Sequence, residues 1–165
     1  FDSGQITLGT GLLVMAAAKA ALDGASMQEI LTMLKDLGSR THAFAALDTL
    51  EFLRRSGRVS TIQSKLGALL SVKPLLTMHD GQIGFDKVRT TTGSIQWLID
   101  RVTALGPLEE CALVHTHTPE KLEALRQRAQ HLFPTDEEPL IAEVTPVIGA
   151  HVGPGAVGFA CIAKH

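Results

Sequence analysis

Apolar and polar positions change their period several times along this chain, and each change marks an element. Residues 12–22, LLVMAAAKAAL, are nearly all strong helix formers, and Gly24 supplies a stop, so a helix is predicted there. Ser26 and Glu29 form a capping box, after which Met27, Ile30, Leu34 and Leu37 recur at helical spacing until Gly38, predicting an amphipathic helix. THAFAAL at 41–47 alternates and is short, which reads as a strand leading into a brief helix, DTLEFLRRSG. Ser60 and Gln63 give a second capping box, predicting a helix to about Leu70.

SVKPLLTM and QIGFDKVR flank His79-Asp80-Gly81, and an Asp-Gly pair between extended runs is a strong hairpin signal. A helix near Gly93–Leu105 and a strand CALVHT follow. Thr118 and Pro119 then open a helix with Leu122, Leu125, Ala129 and Leu132 facing inward. PLIAEVTPVIG and AVGFACIAK read as two last strands enclosing a turn, GAHVGPG, in which glycines permit positive φ and Pro154 adds stiffness around His151. Helices and strands mixed in this way, with no regular βαβ alternation, give an α+β (mixed α/β) class, with a mixed, largely antiparallel sheet and flanking helices. No repeat or internal linker interrupts the 165 residues, so a single domain over 1–165 is expected; Pro134–Pro139 is an acidic surface loop.

Composition removes several functional classes. Only 19% of residues are charged and the net charge is −2, which excludes a polyelectrolyte that binds nucleic acid through its overall field. With no Tyr and one Trp, a stacking platform for bases or sugars has little to build on, and the core must be aliphatic. Cys111 and Cys161 lie in apolar runs without CxxC spacing, as buried free thiols of a reducing compartment do. No run reaches membrane-spanning length and no signal-peptide pattern opens the chain, so a cytoplasmic protein without stable membrane insertion is expected. The first residue is Phe1 rather than Met, as in a fragment.

Few side chains suggest chemistry. His115 and His117, i and i+2 at a strand end, share one face and could grip a metal, with the distant His151 or a glutamate as third ligand; a metal-dependent hydrolase using His115, His117 and His151 is the alternative reading. SGQITLGTG precedes a helix whose free N–H groups suit an anion, but it is neither GxGxxG nor a P-loop, and a tight strand-to-helix turn explains it as well. Arg54 and Arg55 suit a helix C-terminus, whereas Arg58 lies between Gly57 and a capped helix start, where a guanidinium and backbone donors can converge on one anion. No GxSxG, HExxH or Ser/Lys pair is present, so no catalytic residue is assigned, nor any metal or cofactor. The residues favour an anion-recognising module, with His151, Arg58 and Arg89 beside an aliphatic surface. Leu69, Leu70, Val72, Leu75 and Leu76 are candidates for its wall or for the core.

TLEFLRRSGRVS, GALLSVKPLLTMHDGQI, KVRTTTGSIQWL and VIGAHVGPGAVG, in this order and with FDSGQITLGTG before them, resemble the DegV family of bacterial fatty-acid-binding proteins over nearly the whole chain. The resemblance implies a two-lobed protein enclosing one acyl chain in an apolar tunnel, with this chain as the C-terminal lobe and the N-terminal lobe outside it. It implies further that first-lobe hydroxyls bind the carboxylate with help from the HxGPG histidine, here His151 with Gly153 and Gly155 in the same turn. Arg58 and Arg89 would lie near the head group or on a docking face. The implied ligand is a long-chain fatty acid, and the implied partner is a fatty acid kinase that phosphorylates it for phospholipid synthesis, the family member being a carrier and not the phosphotransferase.

Overall fold

The computed structural model describes residues 1–58, 72–134 and 138–165. Its elements are α1 (Thr7–Leu22), α2 (Met27–Arg40), β1 (Thr41–Ala46), α3 (Glu51–Arg55), β2 (Lys73–His79), β3 (Gln82–Val88), α4 (Thr91–Thr103), β4 (Leu108–His115), α5 (Pro119–Arg128), a 3-10 turn (Gln130–Leu132), β5 (Leu140–Glu143), α6 (Pro146–Val152) and β6 (Val157–Ala163). The six strands form one sheet in the order β3-β2-β1-β6-β4-β5, antiparallel throughout except between β4 and β5. The mixed, largely antiparallel sheet with flanking helices is the expected class.

Local chemistry explains most boundaries. Ser26 and Glu29 make both halves of the capping box that starts α2. Asp80 and Gly81 have φ of 48° and 71°, the paired positive values that close a two-residue hairpin with the strands' own twist. Thr90 caps α4 by accepting from the Gly93 N–H at 3.0 Å, two residues earlier than the apolar pattern alone suggested.

Strand alternation sends side chains to two faces. Phe44, Ala46, Leu75, Leu113, Val157 and Phe159 join the buried cluster under α4 and α5, built on Leu98, Val102, Leu122 and Leu125. Ala112, Ala160 and Ile162 face the other way and meet Leu12, Leu13, Ile30, Leu34 and Leu37 of α1 and α2. Leu75 is therefore core. Cys111 and Cys161 are buried free thiols, register partners on β4 and β6 with Sγ atoms 3.5 Å apart. Their hydrogen bond and their burial push the Cys161 thiol well above its usual pKa.

Three expectations are corrected. The helix predicted from residue 12 begins at Thr7, so SGQITLGTG is no strand-to-helix turn; Gly9 and Gly11 lie inside the helix. PLIAEVTPVIG is not one strand. It breaks after Glu143, because Pro146 has a fixed φ and no N–H to give a ladder, and it starts α6 as an N1 proline does. His151 thus stands in the last turn of a helix, not in a hairpin turn, and β4 separates β5 from β6. The predicted Ser60–Leu70 helix, Leu69 and Leu70 lie outside the described residues, as do residues 135–137 of the acidic loop. Among the described residues, no helix is long and apolar enough to cross a membrane.

One pair escaped the pattern. His42 and His79, register partners across β1 and β2, stack with ring centroids 3.9 Å apart, and His79 Nδ1 donates to the Thr41 carbonyl at 2.9 Å. Burial, reinforced by the neighbouring His79, depresses the pKa of His42 to about 4 from an ordinary 6.5. Between these values the unfolded chain binds a proton that the folded one refuses. Stability is therefore complete above 6.5 and falls as the pH is lowered through that window. Urea midpoints should drop as the pH is lowered from about 6.5 to about 5, a range mostly above carboxylate titration, and His42→Gln should flatten that slope.

Candidate functional site

The α1 face of the sheet is only partly covered. Helices α1 and α2 sit over β6 and β4, leaving that face of β1, β2 and β3 to the short α3 and α6, whose Leu53 and Val152 cluster with Ala45, Leu76 and Phe85 at one end only. Ala43 and Ala45 of β1, Leu76 and Met78 of β2 and Ile83 of β3 form the floor of the resulting hollow, and Ile83 remains 57% exposed. Ile6 and Thr7 at the start of α1 wall one side. Ile148 and Val152, one helical turn apart on α6, wall another. The hollow holds about 640 Å³ including its mouth. Its lining is apolar apart from Thr7, Thr77, His115 and Thr116.

Register sets the length of this hollow. Ala43 stands opposite Ala160 of β6, and the lining along β6 runs from Phe159 to Ala156, about 10 Å at roughly 3.3 Å per strand residue. Small side chains keep the floor low. Opposite Ala45 lies Gly158, where a Cβ would overlap the Phe44 carbonyl oxygen. Leu76 is a wall residue and Leu75 is not, because adjacent strand residues face opposite ways.

At one end of the hollow is the turn that follows His151. Gly153 and Gly155 have φ of 75° and 84°, values that a side chain strains against. Both positions are also crowded: a Cβ on Gly153 would enter the Phe52 ring of α3, and one on Gly155 would overlap the Asp48 carboxylate. The turn is pinned by Thr116. Its N–H donates to the Ala156 carbonyl at 2.9 Å, and its carbonyl accepts from the Gly155 N–H at 2.8 Å. Its hydroxyl donates to the Gly153 carbonyl at 2.6 Å and accepts from the Ala156 N–H at 2.8 Å. His151 itself is half-buried and its Nδ1 is buried without a hydrogen-bond partner, while the hollow is lined by its helix neighbours Ile148 and Val152 and not by the imidazole.

A second group holds the same turn from the side. Lys121 Nζ donates to Asp48 Oδ1 at 2.9 Å and to the Gly155 carbonyl at 2.6 Å, and Lys73 Nζ donates to the same Oδ1 at 3.0 Å. Burial raises the Asp48 carboxyl, but the two ammonium hydrogen bonds outweigh it and hold the group below its usual pKa. These residues carried no local signal in the sequence. Lys121 is 73 residues from Asp48 and 34 from Gly155, and only the sheet brings them together.

Arg58 and Arg89 are both exposed; strand direction places Arg89 at the sheet end where the turn after His151 lies, and Arg58 follows α3, its N–H donating to the Leu53 carbonyl at 2.9 Å. Arg54 and Arg55 are tied to Glu51, at 2.9 and 2.8 Å. The three histidines do not form a metal site. Strand β4 ends at His115, whose Nδ1 accepts from the Thr118 N–H at 3.3 Å, while His117 leaves the strand with φ of 48° and a side chain 91% exposed beside Glu143. Among the described residues no group of three or more His, Cys, Asp or Glu could hold a metal ion. In HTH the residue that matters to the turn is the middle one, Thr116.

Known proteins share this architecture. A family model described as an uncharacterised protein of the DegV family matches residues 1–164. A DegV domain-containing protein of Streptomyces coelicolor is 36% identical over 160 residues, covering 95% of this chain and 57% of its own length, and one from Caldanaerobacter subterraneus is 35% identical over 161 residues with the same coverage. The chain thus spans less than two thirds of these relatives. Among solved structures, a fatty-acid-binding DegV family protein from Thermus thermophilus superposes with a TM-score of 0.88 at 28% identity, over 99% of this chain and 60% of its own. DegV of Bacillus subtilis, a fatty acid binding protein, gives 0.80 at 29%, with the same coverage. With a match that runs from its first residue almost to its last, and relatives above 30% identity, the chain belongs to the DegV family.

Proposed function

We propose that this chain supplies one wall of a fatty-acid site and the histidine at its polar end, acting as the C-terminal lobe of a carrier. The observation that carries the reading is the hollow on the α1 face: apolar, and bordered at Val152 and Ala156 by the segment that carries His151. Each methylene taken from water contributes about 0.8 kcal/mol, so an acyl chain needs apolar wall and few polar anchors. The fatty-acid binding of the Thermus thermophilus and Bacillus subtilis proteins, which share this fold, supports the same ligand class.

In this reading the acyl chain lies over Ala43, Ala45, Leu76 and Met78, and the carboxylate lies toward His151, with Gly153 and Gly155 giving the turn its course. Further donors to the head group come from the rest of the full-length protein. In this role the chain is the carrier and not the phosphotransferase. Its role is to present the carboxylate to a fatty acid kinase in the cytoplasm, for acyl-phosphate formation that feeds phospholipid synthesis, with exposed Arg58 and Arg89 as docking residues near that end of the sheet. No metal or other cofactor enters this role.

Protein expressed in bacteria from its complete coding sequence should copurify with long-chain fatty acid visible by mass spectrometry; empty protein that takes up neither added palmitate nor oleate overturns the reading. Ala45→Trp should fill the floor. Displacing roughly three methylenes at about 0.8 kcal/mol each weakens binding about fifty-fold. His151→Gln should weaken the acid by roughly 10- to 100-fold, the worth of a charge-assisted hydrogen bond of about 1.5–3 kcal/mol, and leave the fatty alcohol of the same length unchanged. Arg58→Ala and Arg89→Ala should retain the lipid but lose capture of the kinase in a pull-down; undiminished capture removes them as docking residues.

A further inference from the structure

The hydrogen bonds of Thr116 fix the His151 turn to the end of β4, but they do not fix it to the segment between β1 and α3 that leads on to Arg58. That second attachment passes through Asp48, at the exit of β1. The Asp48 carboxylate lies against Gly155, where a Cβ would overlap it, and Lys121 spans from Asp48 Oδ1 at 2.9 Å to the Gly155 carbonyl at 2.6 Å.

Lys121 reaches this point from an unexpected side. It sits in the first turn of α5, which packs on the face of the sheet opposite the hollow, and its side chain passes the sheet end with only 16% of it exposed. Lys73 shares the same carboxylate oxygen at 3.0 Å, so one negative charge meets two ammonium groups and the Gly155 carbonyl takes up part of the excess. The Gly155–Ala156 peptide, which follows two positive-φ glycines and their flexible backbone, is thereby held in one orientation.

We propose that Lys121 is a positioning residue: by bridging Asp48 and the Gly155 carbonyl it sets where the His151 imidazole stands relative to the head-group end of the hollow. The assignment rests on the fatty-acid reading for its consequence, not for its geometry. Lys121 does not line the hollow. Its removal acts through the histidine and is felt by a carboxylate far more than by the chain behind it.

The test uses the protein from its complete coding sequence, with Lys121→Met, which keeps the stem without the charge, Lys121→Arg, which restores a donor for both acceptors, and Asp48→Asn as a second way to break the bridge. Lys121→Met should weaken palmitate by roughly tenfold or more, as a displaced binding group does, with hexadecanol unchanged and Lys121→Arg recovering most of the loss. Side-chain NMR of labelled histidine should show the His151 signals moved in Lys121→Met and Asp48→Asn and near their original place in Lys121→Arg. Equal losses for acid and alcohol, or unmoved His151 signals, overturn the positioning role. If the unsubstituted protein binds neither lipid, the fatty-acid reading fails, and the His151 signals alone then decide whether Lys121 positions the imidazole.

Discussion

Strand β6 is buried along nearly all its length, and the rest of the fold follows from having to cover both of its faces. Val157, Phe159 and Cys161 are sealed by α4 and α5, and Ala160 and Ile162 by α1 and α2. The two helices on the second side reach only part of the sheet, because their apolar residues are committed to β4 and β6. What they leave uncovered on β1, β2 and β3 is the hollow. The same arrangement gives the molecule a core and an unfinished apolar surface beside it.

Much of this was legible in the order of residues because it depends on local chemistry. The Ser26–Glu29 box, the Asp80-Gly81 turn, Thr118-Pro119 and the inward positions Leu122, Leu125 and Ala129 each act within one or two helical turns, so their neighbours in sequence are their neighbours in space. The family resemblance also holds. Alternation failed at Val144–Val152, where proline chemistry outweighs a run that looks extended. It could not reveal the sheet order or the meeting of Asp48 with Lys121, which depend on which strands become neighbours.

His151, first noticed for its glycine-rich surroundings, is the clearest instance. Glycine content suggested a free turn between two strands. In the structure the histidine is carried by a helix, and the two positive-φ glycines of the turn serve close packing, Gly153 against Phe52 and Gly155 against Asp48. Pliability is spent on contact. A loop of this composition is rigid because its lack of side chains lets neighbours approach.

The sheet order also has a consequence in time. The β2–β3 hairpin closes between adjacent residues, but β6 must enter between β1 and β4, which were made long before it. Pairing across such separations is slow, because the chain loses loop entropy before any contact compensates for it. Ala156, Val157 and Phe159, which line the hollow, arrive with that strand. During synthesis the apolar surfaces of β1 and β4 therefore exist before the strand that joins them, so folding around β6 and assembly of the hollow are a single late event.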